Sequence, residues 1–449
     1  MLKKMPFIML NSIEELTEEV ILKLINMHKG TDIIRNRKLL DYYLGKHEIL
    51  KRRFSDPTKP NHKVVANFPK YITNVINGYF LGTPVNYTSK NPEALMYLNT
   101  INLANDEQAQ NSILATNMSI YGVAYQLLFT DEQSEIKMTV LDNNEVIPIY
   151  STSVIPEPIA FIRHYTVTSY IDGVEDTHYV EVYTDKTITY YRNISGHLVM
   201  DNQVVHYFKK PPIVVYENGD YEQGDYEDVI SLIDCYNLSL SDMANDYAYM
   251  ADSFLVLKGV EETDPEVFKD MKAQRLMIMP AEGSAEWLTK QTDSSTVEAY
   301  RERLVEDICR FSSVPDLSNN EFGSNVSGIS LQFKFQSLEQ LCANKERMFK
   351  KAIDKRNELI FAILNVKGIA HDYSVIESVF KRNMPINQAE IVQMVQNLWG
   401  VLSKESLLAQ LPFVDDVSAE LERIEEEANP DPYATNSPFA EPVEDNPLE

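Results

Sequence analysis

The residues that could do chemistry are few and badly placed for it. Asp415 and Asp416 are adjacent carboxylates, the kind of pair that could hold a divalent metal, but nothing around them resembles a metal nuclease. Gly323-Ser-Asn-Val-Ser-Gly328-Ile329-Ser330 has the glycine spacing of a phosphate-cradling loop. Ile329 stands where a lysine must reach the phosphates, and the stretch follows a polar loop instead of a buried strand, so a nucleotide site is rejected. Cys235, Cys309 and Cys342 are far apart and show no Cys/His ligand spacing, which argues against zinc. Their odd number fits a reducing cytoplasm. The eight histidines are scattered, and none lies beside a nucleophile in a recognisable pattern. The sequence therefore predicts no catalytic residue, no metal ligand and no cofactor. An enzyme reading would need a measurable turnover or a tightly bound cofactor.

Charge carries more information. The formal net charge is −26, from 67 acidic and 41 basic residues. A conventional DNA-binding protein displaces counterions from phosphate with a basic face, which this chain lacks overall. Either DNA is not a partner, or it passes close by without sticking; plain solubility is the simpler reading of the acidity. No Lys or Arg occurs between Lys210 and Lys258, whereas Asp225, Glu227, Asp228, Asp234, Asp242, Asp246 and Asp252 all fall there. Like charges four apart, as at Asp242 and Asp246, weaken an isolated helix. The gap in cations serves a purpose beyond helix stability, or simply follows from an acidic composition. The densest basic cluster is Lys334, Lys345, Arg347, Lys350, Lys351, Lys355 and Arg356. A solvated face, or pairing with the acidic surface of another subunit, is favoured there over phosphate contact.

Elements must position these groups. At 449 residues the chain exceeds what one core usually covers, so two or more domains are expected. Its composition, 44% hydrophobic and 24% charged, is that of a folded protein. Ser12-Ile-Glu-Glu15 reads as a capping box opening a helix with Ile13, Leu16, Val20, Leu24 and Met27 on one face and Gly30 at its end. Further helices are predicted over 31–44, closed by Gly45, over 67–80 and near 91–118. A strand follows over 121–129, then an antiparallel meander over 137–216 with turns at Asp172-Gly173, Asp185-Lys186 and Asn218-Gly219. The first domain is thus α+β.

From Asp225 the residues Val229, Ile233, Tyr236, Leu240, Met243, Tyr247, Met250 and Phe254 step by fours and threes, a heptad seam on one helix of about 27 residues. A small α/β insert comes next, with strands at Phe254–Lys258 and Arg275–Met279 and a short helix near 264–273. A second helix over 294–312 carries Val297, Tyr300, Leu304, Ile308 and Phe311. Residues 314–327 form a polar, Pro/Gly-marked loop, and a very long helix runs from about 328 to 366 with Leu331, Phe335, Leu338, Phe349, Ile353, Ile360 and Ile363 on one side. Short helices close the chain, one opened by the box Asn387-Gln-Ala-Glu390 and others over 403–410 and 418–428; from Asn429 onward an acidic, Pro-rich tail is expected to be disordered. No apolar run is long enough to span a bilayer, and the N-terminus lacks signal-peptide features, so synthesis and assembly in a cytoplasm are expected.

The order of local motifs resembles that of bacteriophage portal (head–tail connector) proteins, in the branch typical of long-tailed phages of Gram-positive bacteria. The likeness rests on Tyr42-Tyr-Leu-Gly-Lys-His47, Asn67-Phe-Pro-Lys-Tyr-Ile72 through Gly78-Tyr-Phe-Leu-Gly-Thr-Pro84, and Tyr121-Gly-Val-Ala-Tyr125. It also rests on Leu232-Ile-Asp-Cys-Tyr-Asn237 with Ser241 and Asp242, on Val314, Pro315 and Asp316 followed by Ser327 and Gly328, and on Pro412-Phe-Val-Asp415. Ile329 and Ser330 depart from the small residues common there. The resemblance implies a mostly helical α+β portal fold. Its wing would comprise 1–224, the β-rich part included, with 328–384; its stem helices would be 225–252 and 293–313, its clip 253–292, its channel loop 314–327 and its crown 385–428. Ser318, Asn319, Asn320, Glu321, Phe322, Ser324 and Asn325 would then approach double-stranded DNA without reading its bases. Asp234, Asp242 and Asp246 are the candidates for carboxylates lining the channel. The resemblance further implies a ring of twelve copies at one capsid vertex in the virion, with terminase, scaffold, the major capsid protein and a head–tail adaptor as partners. The alternative reading is a virion structural or scaffold-like adaptor without a channel.

Overall fold

A computed structural model of the chain describes residues 8–57, 59–170, 175–251, 254–258, 266, 284–288, 294–317, 328–369, 371–383, 388–408, 411, 414 and 417–428. Two compact units result, one of Met1–Val326 with Ser330–Asn383 and a smaller one of Ser327–Ile329 with Met384–Glu449.

The larger unit opens with strand β1 (Met9–Leu10) and helix α1 (Glu18–Gly30). The helix starts later than the sequence predicts. Thr17 caps it by accepting from the Val20 amide, whereas Ser12 precedes only a short 3-10 turn and its side chain caps no backbone amide. Glu15 instead accepts from the backbone and side-chain amides of Asn11, both at 3.0 Å. Starting at Thr17 places Glu18 and Glu19 in the first turn, where the helix dipole favours carboxylates. The buried stripe becomes Ile21, Ile25 and His28, and Met27 is exposed.

Helix α2 (Asp32–Tyr43) ends at Gly45, whose φ of +79° is the left-handed conformation glycine adopts freely. Helix α3 (Phe68–Phe80) begins at Asn67, whose side chain accepts from the Lys70 amide, with Pro69 in the first turn. Strand β2 (Asn86–Ser89) follows. The single helical stretch expected near 91–118 is two helices, α4 (Pro92–Ala104) and α5 (Glu107–Tyr121), broken where Asp106 turns left-handed at φ +49°.

Eight strands come next: β3 (Val123–Thr130), β4 (Ile136–Leu141), β5 (Val146–Ser151), β6 (Pro158–Ser169), β7 (Glu175–Tyr183), β8 (Thr187–Ile194), β9 (His197–Val205) and β10 (Ile213–Glu217). They do not form one meander. Strands β5 to β9 are a meander in a six-stranded sheet, with β1 parallel to β5, but β10 returns to pair with β3 in a separate sheet of order β10-β3-β4. Val123 to Leu128 of β3 are buried without a break, so β3 is a central strand that needs a partner on each side. The β8–β9 hairpin turns through Ser195 and Gly196, both at positive φ, as the twist of a tight hairpin requires. Asp185-Lys186 joins β7 to β8 and Asn218-Gly219 follows β10, as expected; Asp172-Gly173 lies outside the described residues. Ile21 and Ile25 pack on Ile147, Ile149, Ala160, Ile162, Val180, Val182 and Leu198, which form one core.

Helix α6 (Ile230–Ala251) follows a 3-10 turn over Glu227–Val229. Strand β11 (Phe254–Lys258) pairs antiparallel with β12 (Ser284–Leu288), a strand the sequence reading did not foresee; Arg275–Met279 lies outside the described residues. Helix α7 (Ser294–Phe311) and the 39-residue α8 (Gly328–Val366) complete the helical part, and strand β13 (Ile376–Val379) pairs with β2. The smaller unit holds α9 (Gln388–Leu398), α10 (Lys404–Leu408) and α11 (Val417–Ala428), with Leu407 buried. Asn387 of the expected capping box is outside the described residues. The fold class is α+β, as the sequence predicts.

Candidate functional site

Helix α6 was expected to bury an apolar heptad seam. Instead its buried face is Ile233, Asn237, Ser241 and Asn245, four residues apart, while Tyr236, Leu240 and Met243 are half-buried and Tyr247 is exposed. The polar residues are buried because an extended strap, residues 62–66, lies along them. The amides of His62, Val64 and Ala66 donate to Asn245 Oδ1 at 2.7 Å, Ser241 Oγ at 2.9 Å and Asn237 Oδ1 at 2.8 Å. Alternate residues of an extended chain repeat every ~6.7 Å, and every fourth residue of a helix every ~6 Å, so three successive pairs stay in register. Each bond satisfies a side-chain oxygen of α6 that is buried, at Asn245, Ser241 or Asn237, and would otherwise lack this donor.

The bonding continues into the motif around Tyr42. Asn237 gives its oxygen to Ala66, so its Nδ2 faces His47 and donates to Nδ1 at 2.8 Å. That leaves Nε2–H of His47 to donate to the Tyr42 carbonyl at 2.9 Å. The His47 ring stacks on Tyr42 at 4.7 Å, and burial holds its pKa below the usual histidine value. The Tyr42 hydroxyl donates to Asp234 at 2.8 Å, and Asn67 Nδ2 donates to the Tyr43 carbonyl. Three stretches that are remote in sequence, at 42–47, 61–67 and 234–245, thus meet in one polar junction.

The candidate carboxylates are partly occupied by this junction. Asp234 accepts from Tyr42, and Asp242 accepts from Arg52 Nη1 at 2.6 Å while keeping 57% of its side-chain surface exposed. Arg52 also donates to Asn61 and to the His62 carbonyl, at the root of the strap. Asp246 is half-buried on the same helix. Asp225, upstream of α6, is fully buried against Lys345, with Nζ to Oδ2 at 2.6 Å.

That pair corrects the reading of the basic cluster on α8. Lys345 and Arg356 are both fully buried; they are neither solvated nor turned to another subunit. Lys345 also donates to Ser119, and Arg356 reaches Glu107, Tyr87 and Asn111 at 2.5, 2.7 and 2.8 Å. Closer to the surface, Lys350, Lys351 and Lys355 pair with Glu377, Glu217 and Glu358. The cluster anchors α8 to α5, β10 and the strands around them.

Helix α7 packs beside α6, with Leu304 and Ile308 buried and Arg301 against Met243 Sδ, while Tyr300 and Phe311 are exposed. It ends on Ser313 at φ +59°, after which the Val314 amide returns to the Cys309 carbonyl, a Schellman closure. Val314 is buried. The Tyr71 hydroxyl of α3 donates to the Pro315 carbonyl at 3.0 Å and accepts from the Leu317 amide at 3.2 Å. The candidate loop residues Ser318, Asn319, Asn320, Glu321, Phe322, Ser324 and Asn325 lie outside the described residues. Sequence reasoning singled out that loop but missed Tyr71; the only signal was its place inside the Asn67–Ile72 motif.

Among the described residues no group of three or more His, Cys, Asp or Glu could hold a metal ion. Cys309 and Cys342 are buried thiols, pushed up to about 11 and about 12 by burial, so neither is a ready nucleophile. No described helix is long and apolar enough to cross a membrane.

What the arrangement offers is a pair of packed helices, acidic and without cations on the first, bound to an α+β body and leading into a polar loop. Two curated relatives are both named "Portal protein". That of Bacillus phage SPP1 is 26% identical, covering 94% of this chain and 89% of its own. That of Clostridium phage phiCD119 is also 26% identical, covering 86% and 92%. Similar solved structures include the neck of an empty GTA particle, at 12% identity and a TM-score of 0.47, covering 76% of this chain and 90% of that one. The virion of a native gene transfer agent particle is 13% identical with a TM-score of 0.43, covering 77% and 88%. A family model that spans most of the chain makes the protein one of the phage portal class. The model of the family "Phage portal protein, SPP1 Gp6-like" matches residues 22–431, and the chain belongs to that family.

Proposed function

We propose that this portal protein forms a closed ring at one vertex of the capsid and that double-stranded DNA passes through the ring during packaging and ejection. The observation that carries this reading is the helix pair α6 and α7. The chain has no Lys or Arg from residue 211 to 257, so α6 itself contributes carboxylates and no cation; Arg52 pairs with one of them, Asp242, which keeps 57% of its side-chain surface exposed. A duplex moving past α6 meets no cation on that helix, and Arg303 and Arg310 of α7 are held by Asp307, so phosphate is repelled more than it is bound and the duplex slides instead of docking. A ring follows when one heterologous interface between copies repeats until it closes.

In this reading 1–224 and 328–384 form the wing, 225–252 and 293–313 the stem, and 253–292 the clip. The clip serves first the terminase motor and later a head–tail adaptor. Residues 385–428 form the crown, and 314–327 the loop nearest the DNA. Scaffold and the major capsid protein contact the ring during assembly in the host cytoplasm. Hydrolysis of ATP belongs to the separate motor.

The test is deletion of Ser318–Asn325. Rings should assemble as before, while DNA packaging or retention falls. Unchanged genome length and infectivity would show that this loop is not the DNA-contacting element.

A further inference from the structure

We propose that Tyr71 is a positioning residue for the loop that follows α7. Its hydroxyl holds the point where the chain enters the loop, and its position is fixed in turn by the strap on α6. The proposal rests on the reading of 314–327 as the channel loop and adds what aims it.

The geometry is specific to a phenol. The Tyr71 oxygen donates its proton to the Pro315 carbonyl and accepts the Leu317 amide, so both hydrogen-bonding capacities of the group are used on one short stretch of backbone. Pro315 has no amide of its own, and Val314 spends its amide on the Cys309 carbonyl. Tyr71 therefore restrains the backbone between the end of α7 and residue 318 at two points, Pro315 and Leu317. Phenylalanine would keep the ring and remove both bonds.

The base of this pin is not α3 alone. Tyr71 sits one turn into α3, directly after the strap. His62, Val64 and Ala66 bind α6 through Asn245, Ser241 and Asn237. Asn67 caps α3 and holds the Tyr43 carbonyl, and Phe68 packs edge-on against Tyr236 of α6 at 5.2 Å. The ten residues from His62 to Tyr71 thus grip α6 at one end and the loop root at the other. A shift of α6 along its axis would carry the strap with it and reach Pro315 and Leu317 through Tyr71. Position of the stem helix and exit direction of the loop are coupled by this segment.

The experiment compares Tyr71→Phe, the Ser318–Asn325 deletion and the two combined, in the full-length protein. The Tyr71→Phe protein should assemble like the parent, with a melting temperature within a few degrees of it. Its packaging rate or DNA retention should fall several-fold, and adding the substitution to the loop deletion should cause no further loss. Independently of packaging, chymotryptic cleavage after Leu317 should speed up several-fold in the Tyr71→Phe protein. Parental packaging and cleavage by Tyr71→Phe, beside an impaired deletion, would overturn the positioning role alone. So would losses that add in full, because Tyr71 would then act elsewhere. A deletion without effect on packaging would overturn the channel-loop reading, and this proposal with it.

Discussion

Arg356 of α8 and Glu107 of α5 meet 2.5 Å apart, 249 residues distant in sequence, with neither side chain more than 1% exposed. Tyr87 and Asn111 donate to the same carboxylate oxygen. Removing one member of such a pair strands a buried charge, which costs about 3–5 kcal/mol. Arg356→Met should therefore lose that much in denaturant unfolding, and adding Glu107→Gln should recover part of it. The oligomeric state must be held constant in the comparison. A loss below about 1 kcal/mol would mean that the pair does not anchor α8.

The second prediction concerns pH. His28 and His164 share a buried contact, Nδ1 to Nε2 at 2.9 Å, in which one ring donates and the other accepts. Burial lowers both pKa values, and His28 and Lys29 add repulsion that brings His164 down to about 4; Asp32 opposes the shift at His28. The folded pKa lies below the unfolded one, so the unfolded chain takes up the proton first as the pH falls. Stability from this pair is complete above about pH 6.5 and is lost as the pH drops toward 4, by roughly 2–3 kcal/mol for His164. His164→Gln should flatten that part of a stability–pH curve. An unchanged slope would show that other groups set it.

Two glycines at nearly the same φ should respond differently. Gly122, at φ +86°, ends α5, and a Cβ there would lie 1.9 Å from the Glu222 carbonyl oxygen. Gly196, at φ +87°, faces open space. Gly196→Ala should cost about 1 kcal/mol, the ordinary penalty of a left-handed alanine. Gly122→Ala should cost clearly more, because backbone must also move. Equal melting temperatures for the two variants would contradict the close approach of 122 to 222.

The strap makes a prediction opposite to a reading by hydrophobicity. Asn237→Ala removes the acceptor of the Ala66 amide and the donor to His47, leaving two buried polar groups without partners, at about 1–3 kcal/mol each. Leu238→Ala, one position along, trims a side chain that is 45% exposed and should cost little. Thermal unfolding of the two variants checks the order; a more damaging Leu238→Ala would put the strap elsewhere.

This inversion also shows where the sequence was readable. Helix ends with side-chain caps or a left-handed glycine, at Asn67 and Gly45, were legible because the signal is local. The phase of α6 was not. Asn237, Ser241 and Asn245 read as solvent-facing, and only the backbone amides of a distant strap make their burial favourable. Lys345 and Arg356 were grouped with five surface cations for the same reason, since their partners Asp225 and Glu107 lie 120 and 249 residues away. The split of the strands into two sheets depended on the return of β10 to β3, a pairing no local pattern announces. That Asp234, Asp242 and Asp246 share one helix was legible from the sequence, but the contacts of Asp234 with Tyr42 and of Asp242 with Arg52 required the fold.

The central claim is the ring. The most direct measurement is the mass of the purified full-length protein in solution, with images of the same sample, repeated with scaffold protein present. Twelve copies of a 51.5 kDa chain amount to roughly 620 kDa, and a closed cyclic particle of about that mass with a central hole is the expected result. A protein that stays monomeric or dimeric with scaffold present, or that grows into open filaments, would contradict it.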